Sequence, residues 1–271
     1  MRAFSKWAAF GSLAGMVLLT ACASSSEGAA ANVAQAGMNE DPPEVAHMAF
    51  IRDALAKVSL RADQKTIVEQ LGREADARHE PIRASRLALQ GALADQVAAG
   101  KIDRALLKPQ IDALLQSIEQ SRAADRVALG RLHDILDKDQ RGQFVDAIED
   151  HFHKGPGEHP GMHNAKRWAA DLNLSDQQKD QIKASLQARF AGQRDAMKGQ
   201  FRTMREQSKN MIESFRQDQF TPDANAPVFG KDRIERGIAR MIDFAETAVP
   251  ILTPEQRAIA AQKIRTKGGR F

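Results

Sequence analysis

Tyrosine is absent from the 271 residues, tryptophan occurs twice, and aromatic side chains make up only 5% of the chain. Set beside abundant Ala, Leu, Gln, Glu, Arg and Lys, this shortage favours helix throughout. Cysteine occurs once, at Cys22, so an internal disulfide is excluded and all stability falls to helix packing. No nucleophile motif, phosphate-binding glycine loop or HExxH segment occurs. Paired carboxylates such as Glu149 with Asp150 lie in charged helical stretches without any sign of a cleft, and no enzyme is expected. A large excess of one charge is missing too. The formal balance is +4, and it falls to +2 once Arg2 and Lys6 leave with the first 21 residues. A nearly neutral, mixed-sign chain with no recognition motif argues against nucleic acid as a partner, despite a sequence pI of 9.3.

The chain begins with three zones in order: cationic Arg2 and Lys6, the apolar run Trp7 to Leu19, then small Thr20 and Ala21. This is the layout of a secretory signal peptide. At about 1.5 Å per residue the apolar run is too short for about 30 Å of hydrocarbon, which disfavours a permanent transmembrane helix. Leu19, Thr20, Ala21 and Cys22 resemble the bacterial lipobox, in which the cysteine becomes the lipidated first residue. A plain secretory signal with an incidental cysteine is the alternative. The resemblance implies anchoring by three acyl chains, each contributing about 0.8 kcal/mol per buried methylene. In that pattern an aspartate after the cysteine favours the inner membrane, and the position here is Ala23; the expectation is a lipid-anchored periplasmic protein at the outer membrane. From Ala23 to about Pro43, Ala, Ser, Gly and Asn prevail with no apolar period, which reads as a flexible tether.

Four short segments share one shape: Leu60 to Gln64 (LRADQ), Leu136 to Gln140 (LDKDQ), Leu174 to Gln178 (LSDQQ) and Leu252 to Gln256 (LTPEQ). The first pair is 76 residues apart and the second 78, and the two pairs map onto one another with offsets of 114 and 116. One unit duplicated in tandem accounts for that spacing. Each segment reads as a helix start. In LTPEQ, Thr253 caps, Pro254 suits the first helical position, Glu255 faces the positive end of the helix, and Gln256 reaches back to the cap amide. Ser175 with Gln178 and Asp137 with Gln140 repeat the logic, whereas Arg61 is a poor cap.

Four such boxes in two evenly spaced pairs, in an exported helical chain, resemble the LTxxQ family of periplasmic proteins, the Spy- and CpxP-like stress chaperones. LNLSDQQKDQI (Leu172 to Ile182) and ILTPEQRA (Ile251 to Ala258) carry the likeness most clearly. It extends over roughly Pro43 to Lys267, in two copies where the usual member has one. The expected organisation is a lipoprotein signal peptide over 1–21, a tether over 22–43, a first helical module over 44–150, a His/Gly/Pro-rich linker over 151–164 and a second helical module over 165–267.

In the first module Ile67, Leu71, Ala75, Ile82, Leu89, Leu93 and Val97 form one apolar stripe along a long helix, with Pro81 inside it as an expected kink. After Gly100 a second helix carries Leu107, Ile111, Leu114, Leu115 and Ile118 to about His133, and a last one follows Asp137 to near Asp150. The second module predicts a short helix near Ala165 to Asp171, one long helix from about Asp176 to Gln217, a loop over Thr221 to Gly230, and a helix with Ile234, Ile238, Met241, Ile242 and Ala245. At about 1.5 Å per residue the long helix would reach about 60 Å. The fold class expected is all-α, with elongated, kinked helical hairpins. Relatives pair two such hairpins as a homodimer around a shallow cradle, so the resemblance implies that the two halves pack as an internal pseudo-dimer.

Along the long helix of the second module, Phe190, Met197, Phe201, Met204, Met211 and Phe215 line one side. Arg194, Lys198, Arg202, Arg205 and Lys209 lie about 100° around. Flexible apolar groups beside cations suit low-specificity capture of unfolded chains; Arg194, Met197, Lys198, Phe201, Arg202, Met204, Arg205 and Met211 are the candidate contacts. The plainer alternative is a core stripe beside a solvated face. Between the modules, His151, His153, His159 and His163 stand with Glu158 and Met162 within thirteen residues, a density able to ligate copper, zinc or nickel. The segment is rich in Gly and Pro and follows no fixed zinc-site spacing, so adventitious binding is the competing reading. His47, His79 and His133 are scattered singly and read as surface or capping residues. The expected function is an ATP-independent chaperone or envelope-stress adaptor that binds unfolded or misfolded envelope proteins without a cofactor. Contact with a membrane stress sensor is implied by the family alone. The alternative is a periplasmic metal buffer or sensor built on the histidine segment.

Overall fold

The structure is a computed structural model, and it describes residues 51–153, 167–192, 194–222 and 231–267. All regular structure among the described residues is helical. Cys22, the signal segment, the tether, His159 and His163 lie outside the described residues.

A short helix over 51–55 leads into Leu60. There follow α1 (Ala62–Ala99), α2 (Arg104–Ile135) and α3 (Lys138–His153). A short helix over 167–171 then precedes α4 (Asp176–Arg189), α5 (Arg194–Ser214), α6 (Lys231–Ala248), a 3-10 turn at Val249–Ile251 and α7 (Pro254–Lys267). With 38 residues, α1 is about 57 Å long at about 1.5 Å per residue. It continues through Pro81 as one element. Proline there strips the Ala77 carbonyl of its amide partner, and one residue away Arg83 Nη2 donates to the Asp76 carbonyl at 2.7 Å.

Gly100 turns the chain from α1 into α2. Its φ of 80° places it in the left-handed region, and its N–H and that of Lys101 donate to Val97 and Gln96 in a Schellman-type end. Gln96 also spans the turn, accepting from the Asp103 N–H at 2.6 Å, while Asp103 caps α2 by accepting from Ala105 N–H. The expected hairpin over the first half is thus present, with both arms slightly longer than the apolar period suggested.

The second half departs from expectation. In place of one helix from Asp176 to Gln217 there are two, α4 and α5. Phe190 occupies the cap position of α4, and Gly192 has a φ of 80°, which a continuing α-helix cannot accommodate. The apolar stripe inferred from Phe190 to Phe215 is therefore not one continuous face. Phe215 lies beyond the end of α5 and is buried.

Two apolar cores form at opposite ends of the first hairpin. One gathers Ala54, Leu55, Val58, Leu71, Leu132, Leu136, Phe144, Val145 and Ile148 around Phe215. The other gathers Leu89, Leu93, Val97, Leu107 and Leu114 with Trp168, Leu172, Leu174, Ile242, Leu252 and Ile264. Each core thus joins the leucine-led helix starts of one half to residues near the turn of the other. Between them the α1–α2 seam interleaves polar contacts with apolar ones: Ser85 is hydrogen-bonded to Ser117 and Arg78 and His79 face Asp125, on either side of buried Ile82.

The Gly100 turn meets α7 closely enough to be tested. A Cβ added at Gly100 would lie 2.9 Å from the Arg257 guanidinium carbon, whereas one at Gly192 would meet nothing within 4 Å. Both positions have the same left-handed φ, so Gly100→Ala and Gly192→Ala share a backbone cost of about 1–2 kcal/mol. Gly100→Ala is expected to cost more in urea titration, and Arg257→Ala should remove the excess.

Candidate functional site

Each of the four motif glutamines stands at the third position of a helix start, where its side-chain oxygen accepts the N–H of the cap residue. Gln64 Oε1 accepts from Arg61 at 2.8 Å, Gln140 from Asp137 at 3.1 Å, Gln178 from Ser175 at 3.0 Å and Gln256 from Thr253 at 2.9 Å. Asp137, Ser175 and Thr253 return the bond to the glutamine N–H, closing a capping box. Arg61 has no acceptor, so the start of α1 is capped from one side only.

The glutamine amides also pair with each other. Gln64 Nε2 donates to Gln140 Oε1 at 2.7 Å and Gln140 Nε2 donates back to Gln64 Oε1 at 2.9 Å. In the second half, Gln178 donates to Gln256 at 2.8 Å and Gln256 returns the bond at 3.1 Å. The remaining protons go to the backbone ahead of the opposite helix. Gln64 reaches the Ile135 carbonyl, Gln140 that of Ser59, Gln178 that of Ile251 and Gln256 that of Asn173. Every amide therefore donates twice and accepts twice, which is its full capacity. Asn173 holds a φ of 48°, a conformation that asparagine tolerates better than most residues.

Residues 160–264 match the LTXXQ motif family protein model. The matched stretch contains Leu174 to Gln178 and Leu252 to Gln256, that is, the whole of the second clasp, while the first clasp precedes it. No curated protein and no solved structure matches the chain. In the LTXXQ segment and ahead of it, the motif glutamine does the same two things each time: it caps its own helix start and locks that start to another. Glutamate would complete a capping box equally well, but its ionised carboxylate has no proton to offer the opposing amide. The motif leucines fill the cores beneath, with Leu136, Leu174 and Leu252 buried and Leu60 half-buried.

The second-arm motifs share one more feature, an arginine directly after the glutamine. Arg141 follows Gln140 as Arg257 follows Gln256, and each turns back to the carbonyl of its motif leucine, at 3.1 Å to Leu136 and 3.3 Å to Leu252. Arg141 then pairs with Asp218 from the second half at 2.6 Å. Another network had no local signature: Arg104 and Arg189 both bind Asp243 and Glu246, tying α2, α4 and α6. Hydrogen bonds from Arg104, outweighing burial, together with Arg189, hold the Glu246 carboxyl below the ordinary glutamate range.

Of the candidate client contacts, Arg202 is exposed and Met211 half-buried. Arg194, Met197, Lys198, Phe201, Met204 and Arg205 fall on α5, and their side chains lie outside what is described. His151 and His153 end α3, also without described side chains. Among the described residues no group of three or more His, Cys, Asp or Glu is arranged to hold a metal. Nor is any described helix long and apolar enough to cross a membrane.

Two histidines read as surface or capping residues are covered by other parts of the fold, His133 fully and His79 in part. His133 is 3% exposed, stacks on Phe220, meets Phe215 edge-on and lies 2.8 Å from the Gln217 carbonyl. These partners arrive from 82 or more residues away in sequence, so nothing local announced them. His79 Nε2 lies 3.0 Å from Asp125 Oδ2, and Arg78 donates to the same carboxylate. Burial pushes the Asp125 carboxyl up, but hydrogen bonds and charge from His79, with further bonds from Arg78 and Ser121, more than offset it and leave its pKa lowered.

Two outcomes follow from these bonds. Gln64→Glu should cost about 1–3 kcal/mol at pH 7 in urea unfolding, because it sets a buried carboxylate against the Gln140 and Ile135 oxygens. Gln178→Glu, at a half-buried site, should cost less. A depressed carboxyl contributes stability that is present above the unfolded-state pKa and lost as pH falls through the folded-state value. Asp125→Asn should therefore unfold at lower urea than the parent at pH 7, by about 1 kcal/mol, with the gap shrinking when both are measured at about pH 3.

Proposed function

We propose that this chain is a lipid-anchored periplasmic chaperone or envelope-stress adaptor, which binds unfolded proteins without ATP and is held by Cys22 at the outer membrane. The observation that carries the reading is the LTXXQ segment at residues 160–264 in a chain whose regular structure, among the described residues, is all helix. Of α5 and its end, the described residues that enter a core are Ile212 and Phe215, both at the C-terminal side. The preceding turns carry Arg194, Lys198, Arg202, Arg205 and Lys209, and exposed Arg202 and Lys209 leave cationic charge available to acidic stretches of a client. Adaptable methionines on the same helix suit varied apolar partners. In this reading binding is the whole activity, and no cofactor is required.

The same proposal takes the two halves as tandem modules packed as an internal pseudo-dimer. Support comes from the matching bonds of the two glutamine clasps and from cores that draw on both halves. Relatives that form a cradle from two chains would here be represented by one.

The test is aggregation of a chemically denatured client, followed by light scattering, in the presence of the chain lacking residues 1–22. Suppression near one chain per client is expected. Neutralising Arg194, Lys198, Arg202 and Arg205 together should weaken it, chiefly at low salt where exposed charges are least screened. Absence of suppression with several unrelated clients would remove the chaperone reading.

A further inference from the structure

At each end of the molecule, the last helix of one half meets the turn region of the other through ion pairs, and those formed towards the C-terminal part of each helix have opposite polarity, while Arg141 near the start of α3 separately binds Asp218. On α3, Asp146 and Glu149 accept from Arg216 Nη2 at 2.7 and 3.3 Å, beside Phe215 packed on Phe144. On α7, Arg265 is paired with Asp95 near the end of α1. The second-arm motifs are offset by 116 residues, so Glu149 and Arg265 occupy the same place in the repeat. One half therefore offers an acid where the other offers a base.

The turn regions are reversed to match. The first half presents Asp95 and the second presents Arg216. The 114-residue offset of the first arms places Lys209, again a base, opposite Asp95 in the repeat. Pairing of a first half with another first half would set Asp95 against Glu149. Pairing of two second halves would set basic groups against Arg265. At these positions both like-with-like arrangements juxtapose equal charges and the cross arrangement joins opposite ones; the Arg141–Asp218 pair lies outside this pattern, because the counterpart of Arg141 is Arg257, also a base. Exposed pairs of this kind add little to stability, because Arg265 and Asp95 keep side-chain exposures of 48% and 72%. Their effect is on partner choice, through the repulsion they impose on wrong pairings.

We propose that these signs form a pairing code: the clasp end of each half is matched to the turn of the other half and mismatched to a copy of its own, so that the chain closes on itself as a monomer. This concerns how the two halves select each other, and it stands whether or not the aggregation assay succeeds.

The experiment uses the chain from Ala23 onward, which retains every side chain of both cores, and reads mass by light scattering and the thermal midpoint. The parent is expected at the mass of one chain. Asp95→Arg combined with Arg216→Glu reverses both turns; the product should lose thermal midpoint and shift towards twice the mass, because each turn now matches only its own kind. Adding Arg265→Glu, Asp146→Arg and Glu149→Arg should restore the parental mass and midpoint. As a milder check, Arg265→Glu alone should lower the midpoint and Asp95→Arg should rescue it. A parent that is itself a dimer overturns the proposal. So does a reversed-turn variant that matches the parent in both readouts, or a restoration that restores neither.

Discussion

The reciprocal amide pair between two helix starts is the interaction on which the rest depends. A helix start leaves its first N–H groups without intrahelical partners, and two starts brought together underneath a leucine core bury several at once. Gln64 with Gln140, and Gln178 with Gln256, answer the cap amides and each other with the same four groups. Each pair fixes the spacing of two helices that lie more than seventy residues apart in sequence. In a chain whose one cysteine leaves no internal disulfide, such long-range connections must be non-covalent.

From the clasps the architecture propagates outwards. The motif leucines belong to the core at their own end, and the arms that leave the clasp reach the other core, α1 with its Leu89, Leu93 and Val97 and the second half with Phe215. Between the apolar clusters the first hairpin carries polar contacts as well, where Asp125 answers His79 and Arg78. Apolar contact is non-directional and supplies the bulk of the stabilisation, whereas the charges and amides decide register. Arg141 and Arg257 link the two levels, since each spans from a motif leucine carbonyl to the turn of the other half.

Legibility in the sequence followed the range of the interaction. Helix starts at Asp137, Ser175 and Thr253 could be read from four or five residues, since a capping box is complete within its own turn. The end of α1 was readable at Gly100 for the same reason. The break after Arg189 was not, although Gly192 stood in plain view, because a lone glycine within a helical pattern is compatible with either outcome. His133 looked like an isolated surface residue until Phe215, Phe220 and Gln217 were brought to it from the other half. The amide pairs themselves were half legible. Four glutamines at matching positions pointed to a repeated cap, but not to their bonding with one another.

The sequence by itself determined the all-helical class, the helix starts at the capping boxes, and the even spacing of the four motifs. These depend on local hydrogen bonding and on the 3.6-residue period, both of which act within a few residues. Only the tertiary structure decided which halves share a core, which arginine meets which carboxylate, and that the motif glutamine is a clasp as well as a cap. Those outcomes depend on contacts across 70 to 170 residues of chain, and no short stretch of sequence contains both partners.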